Sequence, residues 1–420
     1  MPASVRRIAK PSPYDQRPNA SRFSALTPER VAAIQKAAER GDTRDWSDLC
    51  TRMLQADAHV RACMDTRTSA IAGSRWVVES GDPDDPEANR AAAFCDAMLR
   101  GMRGSKGGRM DVSACGFDRG VAALLEAIGI GFAATEIDWE WRGGVWTIPR
   151  LYQVQQRRFR WSDDWQLLLV DNGETISSQG DELPPHSFVV HTPHIHHYPT
   201  QGGCLWPVSW MYLFKRWCVQ FWIAGSEQYA YPLLVGQVPR GAPASVRTEM
   251  LNSLNSLSAS HAAVLEADSA IELVETSVKD NGTWRELVRE LDRQISKAIL
   301  GTTEIEEAGR NGSRAAVETR KGATVDARLA LDERALAETV RRDLLTPIVR
   351  YNSHVFGGRA PAIPSIRWIV ESKRREIPQS LIDVGAVTVN ELRFSTDLEP
   401  LPGDAGERLV GAPAPTEGNE

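Results

Sequence analysis

Apolar residues recur at steps of three and four over 283–300, where Leu287, Val288, Leu291, Ile295, Ala298 and Ile299 fall on one face of a helix. That face is predicted to be buried. On another face Arg285, Arg289, Arg293 and Lys297 stand at successive steps of four and form a basic ridge that faces solvent or an anion. A polar loop follows. A second helical pattern then runs from about Ala315 to Val349, which is roughly 50 Å at about 1.5 Å per residue. Its apolar set, Val317, Ala327, Leu331, Leu336, Val340, Leu344, Leu345 and Ile348, is sparse. Such a helix needs partner surfaces from other subunits or from a second layer of its own chain. Gly322 offers a place to bend, and Pro347 predicts a kink or an end.

Earlier in the chain, residues 27–73 predict two amphipathic helices, the first capped by Thr27 with Pro28 at its first position. SRWVVES reads as a strand, and ANRAAAFCDAMLRGM and GVAALLEAIG as helices. Alternation then takes over: FAATEIDWEW and VWTIPRLYQV flank a two-glycine turn at Gly143 and Gly144, and RFRWS, QLLLV and FVVHTP continue the meander. From Leu205 the chain is apolar on nearly all sides to Pro232, which predicts an enclosed helix, yet Lys215 and Arg216 interrupt it too early for a membrane span. LLVGQVP as a strand, SVRTEMLNSLNSLS as a helix and HAAVLEADSAIELVET as a hairpin form a compact insert between two long helices. After Ser353 the chain is punctuated by Pro and Gly, with a strand IRWIVES, a short helix SLIDVGAVTV and a polar tail. The overall class is α+β.

The 420 residues suffice for two to four domains, and a net charge of -6 rules out a chain that grips nucleic acid over its whole surface. Thirteen Trp against seven Tyr and ten Phe favour large buried contacts or interfaces. The six cysteines are scattered without a CxxC pair and read as reduced, buried thiols in a cytosol-like compartment. The N-terminal 24 residues, basic and rich in Pro, read as a flexible arm without the apolar core of a signal peptide.

Catalytic signatures are scarce. There is no GxSxG, no HExxH and no convincing carboxylate pair, and GSKGGR at 104–109 lacks the strand and the GK[ST] ending of a phosphate loop. The cluster His191, His194, His196 and His197 is the basis of an alternative reading, a metal-dependent hydrolase, which stoichiometric zinc surviving dialysis would support. The preferred reading has no catalytic residues, no metal and no cofactor.

Several stretches, namely AIGIGFAATEIDW, FVVHTPHIHHYPTQGG, FKRWCVQFWIAGSEQYAYPLLVG, LDRQISKAILGTT with its polar loop, and LRFSTDLEPLPGDAGERL, resemble the tailed-phage portal proteins of the phage Mu type. The resemblance runs from about Asp45 to Leu409. Ala230 in EQYAYP stands where the family has glycine, and QQRRFRW only approximates its Arg-rich strand. The resemblance implies a portal-type fold: a wing over 25–205 after the arm 1–24, stem helices at 206–231 and 283–300, a clip at 232–282, a tunnel loop at 301–314, a long kinked helix at 315–351, and a crown with its tail at 352–420. It further implies a ring of about twelve copies at one capsid vertex of a virion assembled in the host bacterial cytoplasm. Double-stranded DNA would pass through it without sequence specificity. Arg285, Arg289, Arg293, Lys297, Arg310, Asn311 and Arg314 would line the DNA channel. Arg240, Arg247 and Glu249 of the clip would dock the terminase large subunit and later a head-completion adaptor, and the major capsid protein is a further implied partner. No membrane partner is implied.

Overall fold

The computed structural model describes residues 7–10, 26–104, 113–193, 198–230, 233–238, 241, 243–260, 270–274, 281–303, 314–369, 387–390 and 392. Three helices open it: α1 (Pro28–Glu39), α2 (Arg44–Ala56) and α3 (Ala58–Ala72). The two expected helices become three because Asp57 adopts extended backbone angles. Its carboxylate accepts the amides of His59 and Val60, capping a new helix where periodicity alone continues the old one. Thr27 caps α1 as expected, accepting the amide of Arg30.

β1 (Arg75–Glu79) and α4 (Pro86–Gly101) follow, then β2 (Ala114–Cys115), α5 (Phe117–Leu124), α6 (Ala127–Ile130), β3 (Ala133–Arg142), β4 (Val145–Val154), β5 (Phe159–Trp161), β6 (Leu167–Asp171), β7 (Ile176–Glu182) and β8 (Phe188–His191). The turn between β3 and β4 has Gly143 and Gly144 at φ of +61° and +83°, the left-handed angles that a two-residue hairpin demands. The strands form an antiparallel sheet of order β2-β4-β3-β8 and a second of order β5-β6-β7. β7 has no apolar alternation to announce it, since its residues ISSQGDE are mostly exposed at a sheet edge.

α7 (Leu205–Ala230) leads to a two-stranded antiparallel ribbon of β9 (Leu233–Gln237) and β10 (Ala270–Val274), with α8 (Ala244–Ser260) between them in sequence. The other arm of the expected hairpin, 261–267, lies outside the described residues. α9 (Asn281–Leu300) returns antiparallel to α7, as Phe221 meets Trp284 and Lys215 meets Asp292. α10 (Arg314–Val340) passes unbroken through Gly322, becomes a π-helical turn over Arg341–Leu345, and resumes as α11 (Thr346–Tyr351). The change of helix type therefore comes just before Pro347, whose missing N–H the wider turn accommodates; the Thr346 hydroxyl donates to the Arg341 carbonyl at 2.7 Å.

β11 (Ser365–Ile369) pairs antiparallel with β1, with Trp76 opposite Trp368. One core joins nearly all of this. Trp46, Phe132, Phe159 and Ile128 are buried together with Leu205, Val208 and Leu213 of α7, Ile295 and Ile299 of α9, and Leu336, Val340, Leu344 and Ile348 of the long helix. From Leu329 onward that helix has its second layer in its own chain. Of the N-terminal arm, Arg7–Lys10 is docked rather than free, which corrects the expectation for those four residues. Ala9 is fully buried, the buried Glu136 carboxylate accepts the amides of Ile8 and Ala9, and the Arg7 guanidinium lies 3.9 Å over the Tyr152 ring. All six cysteines are free and five are buried; burial pushes the Cys95 thiol up to about 12 and that of Cys204 to about 11.

Candidate nucleic-acid interface

α9 has two halves. Toward its C-terminal end Leu291, Ile295, Ile299 and Leu300 are buried, whereas Leu287 is exposed and Trp284 half-buried. α7 is divided the same way: Leu205, Val208, Tyr212 and Leu213 are covered, but Phe221 and Ile223 are each 58% exposed. The helix pair is rooted in the core and projects from it with apolar side chains uncovered.

The expected basic ridge is in place on α9, and two of its four cations pair with carboxylates of the same helix. Arg285, Arg289 and Lys297 are exposed and Arg293 is half-buried. Arg289 pairs with Glu286 at 2.9 Å and Arg293 with Glu290 at 3.3 Å, both one helical turn back. Hydrogen bonds from Gln294 and Arg293 hold the Glu290 carboxyl below the ordinary value. The helix carries four basic residues against Glu286, Glu290 and Asp292, and Asp292 is engaged elsewhere. A surface of interleaved signs attracts a polyanion weakly.

Asp292 is engaged by Lys215. This half-buried ammonium lies 2.6 Å from Asp292 and 2.9 Å from Asp57, the cap of α3. Burial alone would lower its pKa, but the hydrogen bonds it donates to its two carboxylate partners more than offset that and raise it. His59 Nε2 adds contacts of 3.0 Å to the Asp292 carbonyl and 2.8 Å to Ser296 Oγ, so α3, α7 and α9 are tied at one point.

A second tie sits at the C-terminal end of α9. Arg67 of α3 grips Asp332 of α10 through Nε and Nη2 at 2.7 and 2.9 Å, and through Nη1 it donates to the Ile299 carbonyl at 2.7 Å. Arg328 donates to the Ala298 and Ile299 carbonyls at 2.8 and 3.2 Å. Helix ends leave such carbonyls without intrahelical donors, and two guanidiniums meet that need here.

Comparison with known families decides what this framework is: residues 47–397 match the family model described as the portal protein of Mu bacteriophage. The chain belongs to that family. A portal protein of Escherichia phage Mu is 24% identical over 333 residues, and the Mu-like prophage FluMu protein gp29 of Haemophilus influenzae is 25% identical over 349. In both cases the match covers 79% of this chain and 62% of the relative's length. Among solved structures, a chain from the neck of a native gene transfer agent particle computed with C12 symmetry matches at TM-score 0.54 and 16% identity, covering 88% of this chain and all of that one. A chain from the neck of the empty particle, computed with C6 symmetry, matches at 0.55 and 13%, covering 85% of this chain and 94% of that one. These likenesses bear out the α+β portal fold.

Within this portal-family frame, Arg310 and Asn311 lie outside the described residues, and Arg314 is described only as the first residue of α10. Arg247 and Glu249 are exposed on α8, and Arg240 is outside the described residues. Of the histidine cluster, His194, His196 and His197 lie outside them as well. His191 is fully buried with Nδ1 2.9 Å from Thr339 Oγ1, a packing contact between β8 and the long helix. Among the described residues no three His, Cys, Asp or Glu are grouped to hold a metal, and no helix is long and apolar enough to cross a membrane. Neither the comparisons nor this geometry lends support to the hydrolase alternative.

Lys215, Asp57, Arg67, Arg328 and Asp332 were not legible as site residues. Lys215 does carry a signal, since a cation inside an apolar helix requires an anion nearby.

Proposed function

We propose that the chain is a non-enzymatic portal: a closed ring, of about twelve copies, at one capsid vertex of the virion, through which double-stranded DNA is packed and ejected. The observation that carries the reading is the family match through 47–397. The uncovered Phe214, Phe221 and Ile223 of α7 support it, since a neighbouring copy would cover what this chain leaves bare. The C12 and C6 necks of the structural neighbours are consistent with a ring of that order.

The division follows the family frame: wing 25–205, stem helices 206–231 and 283–300, clip 232–282, tunnel loop 301–314, long helix 315–351 and crown 352–420. DNA in transit must be held loosely, with phosphate contacts and no base readout, because tight contacts would stall it. The interleaved charges around Arg285, Arg289, Arg293 and Lys297 suit that need, and Arg310, Asn311 and Arg314 would extend the lining. The clip, through Arg240, Arg247 and Glu249, would dock the terminase large subunit during packaging and a head-completion adaptor afterwards. The major capsid protein would be a further partner, and assembly would take place in the host bacterial cytoplasm.

Light scattering with negative-stain imaging of the purified chain tests the reading. Closed rings are expected, and a strictly monomeric species at every salt and protein concentration would overturn it.

A further inference from the structure

We infer that the turn carrying Trp165, together with Tyr198, forms a docking surface for an arginine-bearing segment of another protein. The inference goes beyond the portal reading, since it adds a partner surface that does not depend on ring formation.

Two large rings lie bare here. Trp165 is 44% and Tyr198 41% exposed, and they stack with centroids 5.1 Å apart and planes at 18°. Neither is packed against the common core. Trp165 also sits at φ of +61°, the left-handed region that a bulky side chain enters at a conformational cost. Among the described residues one other non-glycine, His186, shares that region, and interior contacts account for it: its carbonyl accepts the Trp139 indole N–H, and its ring meets Tyr351 edge-on. Trp165 has no such interior contact among the described residues. Asparagine or glycine would close the turn with less strain, so what tryptophan adds is an outward-facing ring. Strain of this kind collects at binding sites and ligand clamps.

The rings are braced from behind. Ser162 accepts the Trp165 amide on its carbonyl at 3.1 Å and the Gln166 amide on its hydroxyl at 3.0 Å. Next to Tyr198, the Pro199 carbonyl oxygen presses on Gly131, where a Cβ would stand 2.2 Å from it. The end of α1 joins the two segments: Gln201 donates to Glu39 at 3.1 Å, and the Trp161 amide to the Gly41 carbonyl at 2.9 Å. A surface fixed in advance loses little entropy on binding. Phe221 lies roughly 24 Å along α7 from Leu205, so the patch is away from the face that the ring reading assigns to a neighbouring copy.

Charge names the partner. Asp163 and Asp164 precede Trp165 in the same turn, both exposed and neither in an ion pair among the described residues. At the end of α1 Glu39 and Arg40 balance, which leaves the two aspartates as the net charge. Carboxylates repel phosphates, so nucleic acid does not fit. A guanidinium satisfies both features at once: it stacks flat on an aromatic ring while its N–H groups donate to a carboxylate. The lysine ammonium has no flat face to stack.

The test is fluorescence anisotropy of the purified full chain with a fluorescein-labelled peptide of alternating glycine and arginine, its lysine counterpart, and labelled oligo-dT. Saturable binding of the arginine peptide is expected, with the lysine peptide several-fold weaker and no binding of oligo-dT. W165N should weaken arginine-peptide binding on the order of tenfold. Because asparagine accepts the left-handed angles, its thermal transition should not fall below the parent's. Y198A and D163N/D164N should each weaken binding as well, whereas D82N/D84N, exposed carboxylates elsewhere, should not. Equal binding of the lysine peptide, or W165N binding like the parent, would overturn the inference. So would a W165N transition several degrees below the parent's, which would make Trp165 structural, and so would oligo-dT binding that W165N removes. Peptide binding is read on monomer and ring alike, so failure to form rings counts against the portal reading and not against this surface.

Discussion

Replacing Lys215 by methionine removes the charge that joins α7 to α3 and α9 while keeping an apolar stem of similar length, so the packing loss is small. Two carboxylates are left facing one another, with side-chain exposures of 6% for Asp57 and 19% for Asp292. Breaking a buried pair from one side costs about 3–5 kcal/mol. Asp57 keeps the amides of His59 and Val60, which places the expected loss at the lower end, about 3 kcal/mol. At about 2–4 °C per kcal/mol, the first thermal transition should fall by roughly 6–12 °C. K215M/D292N should recover at least about 1 kcal/mol, because the orphaned carboxylate is gone. The pH dependence gives a separate check. The folded ammonium holds its proton above the ordinary lysine value of 10.5, so its contribution is present in full below that value and is lost as pH rises through the folded pKa. The parent should therefore lose stability in that alkaline range where K215M does not. Calorimetry at neutral and alkaline pH measures both effects. A K215M transition within about 1 °C of the parent, or no recovery in the double variant, would refute the three-helix tie.

R289Q/R293Q should leave rings intact, with the thermal transition little changed, because ion pairs at an exposed surface contribute little to stability. It should change DNA retention in a salt-dependent way, and failure of ring closure would make these residues contacts between subunits. F221D/I223D should abolish rings on negative-stain grids while the circular dichroism of the monomer is preserved, since both side chains are exposed in the single chain. Deleting residues 1–10 removes the two amides held by Glu136 and the buried Ala9, and should lower stability by about 2–4 kcal/mol in urea titration. R247E/E249R should reduce packaging yield without affecting ring formation, and an unchanged yield would argue that the motor docks elsewhere.

Where packing face and backbone signal coincided, the sequence was readable. α7, α9 and the β3–β4 hairpin follow from apolar periodicity and from two glycines with positive φ. The break at Asp57 was not readable, because an Asp inside an otherwise continuous helical pattern becomes a cap only when the chain turns there. β7 was hidden by its exposure, since an edge strand of polar residues has no period to detect. The basic row on α9 was visible, and the pairing of Arg289 with Glu286 and of Arg293 with Glu290 was already present in the three-residue spacing. Arg67 and Asp332 are separated by most of the chain, and only the fold brings them to the end of α9. The same holds for the arm: nothing local tells Ile8 and Ala9 that a buried Glu136 awaits their amides.

The central claim is that α7 and α9 leave the core with an apolar face that a neighbouring copy covers. Measuring the mass of the purified chain by light scattering over a range of salt tests it most directly. The account predicts a closed species about twelve times the mass of one chain, shifted to monomer by F221D/I223D. A parent chain that stays monomeric under all conditions, or a ring that F221D/I223D leaves intact, would contradict it.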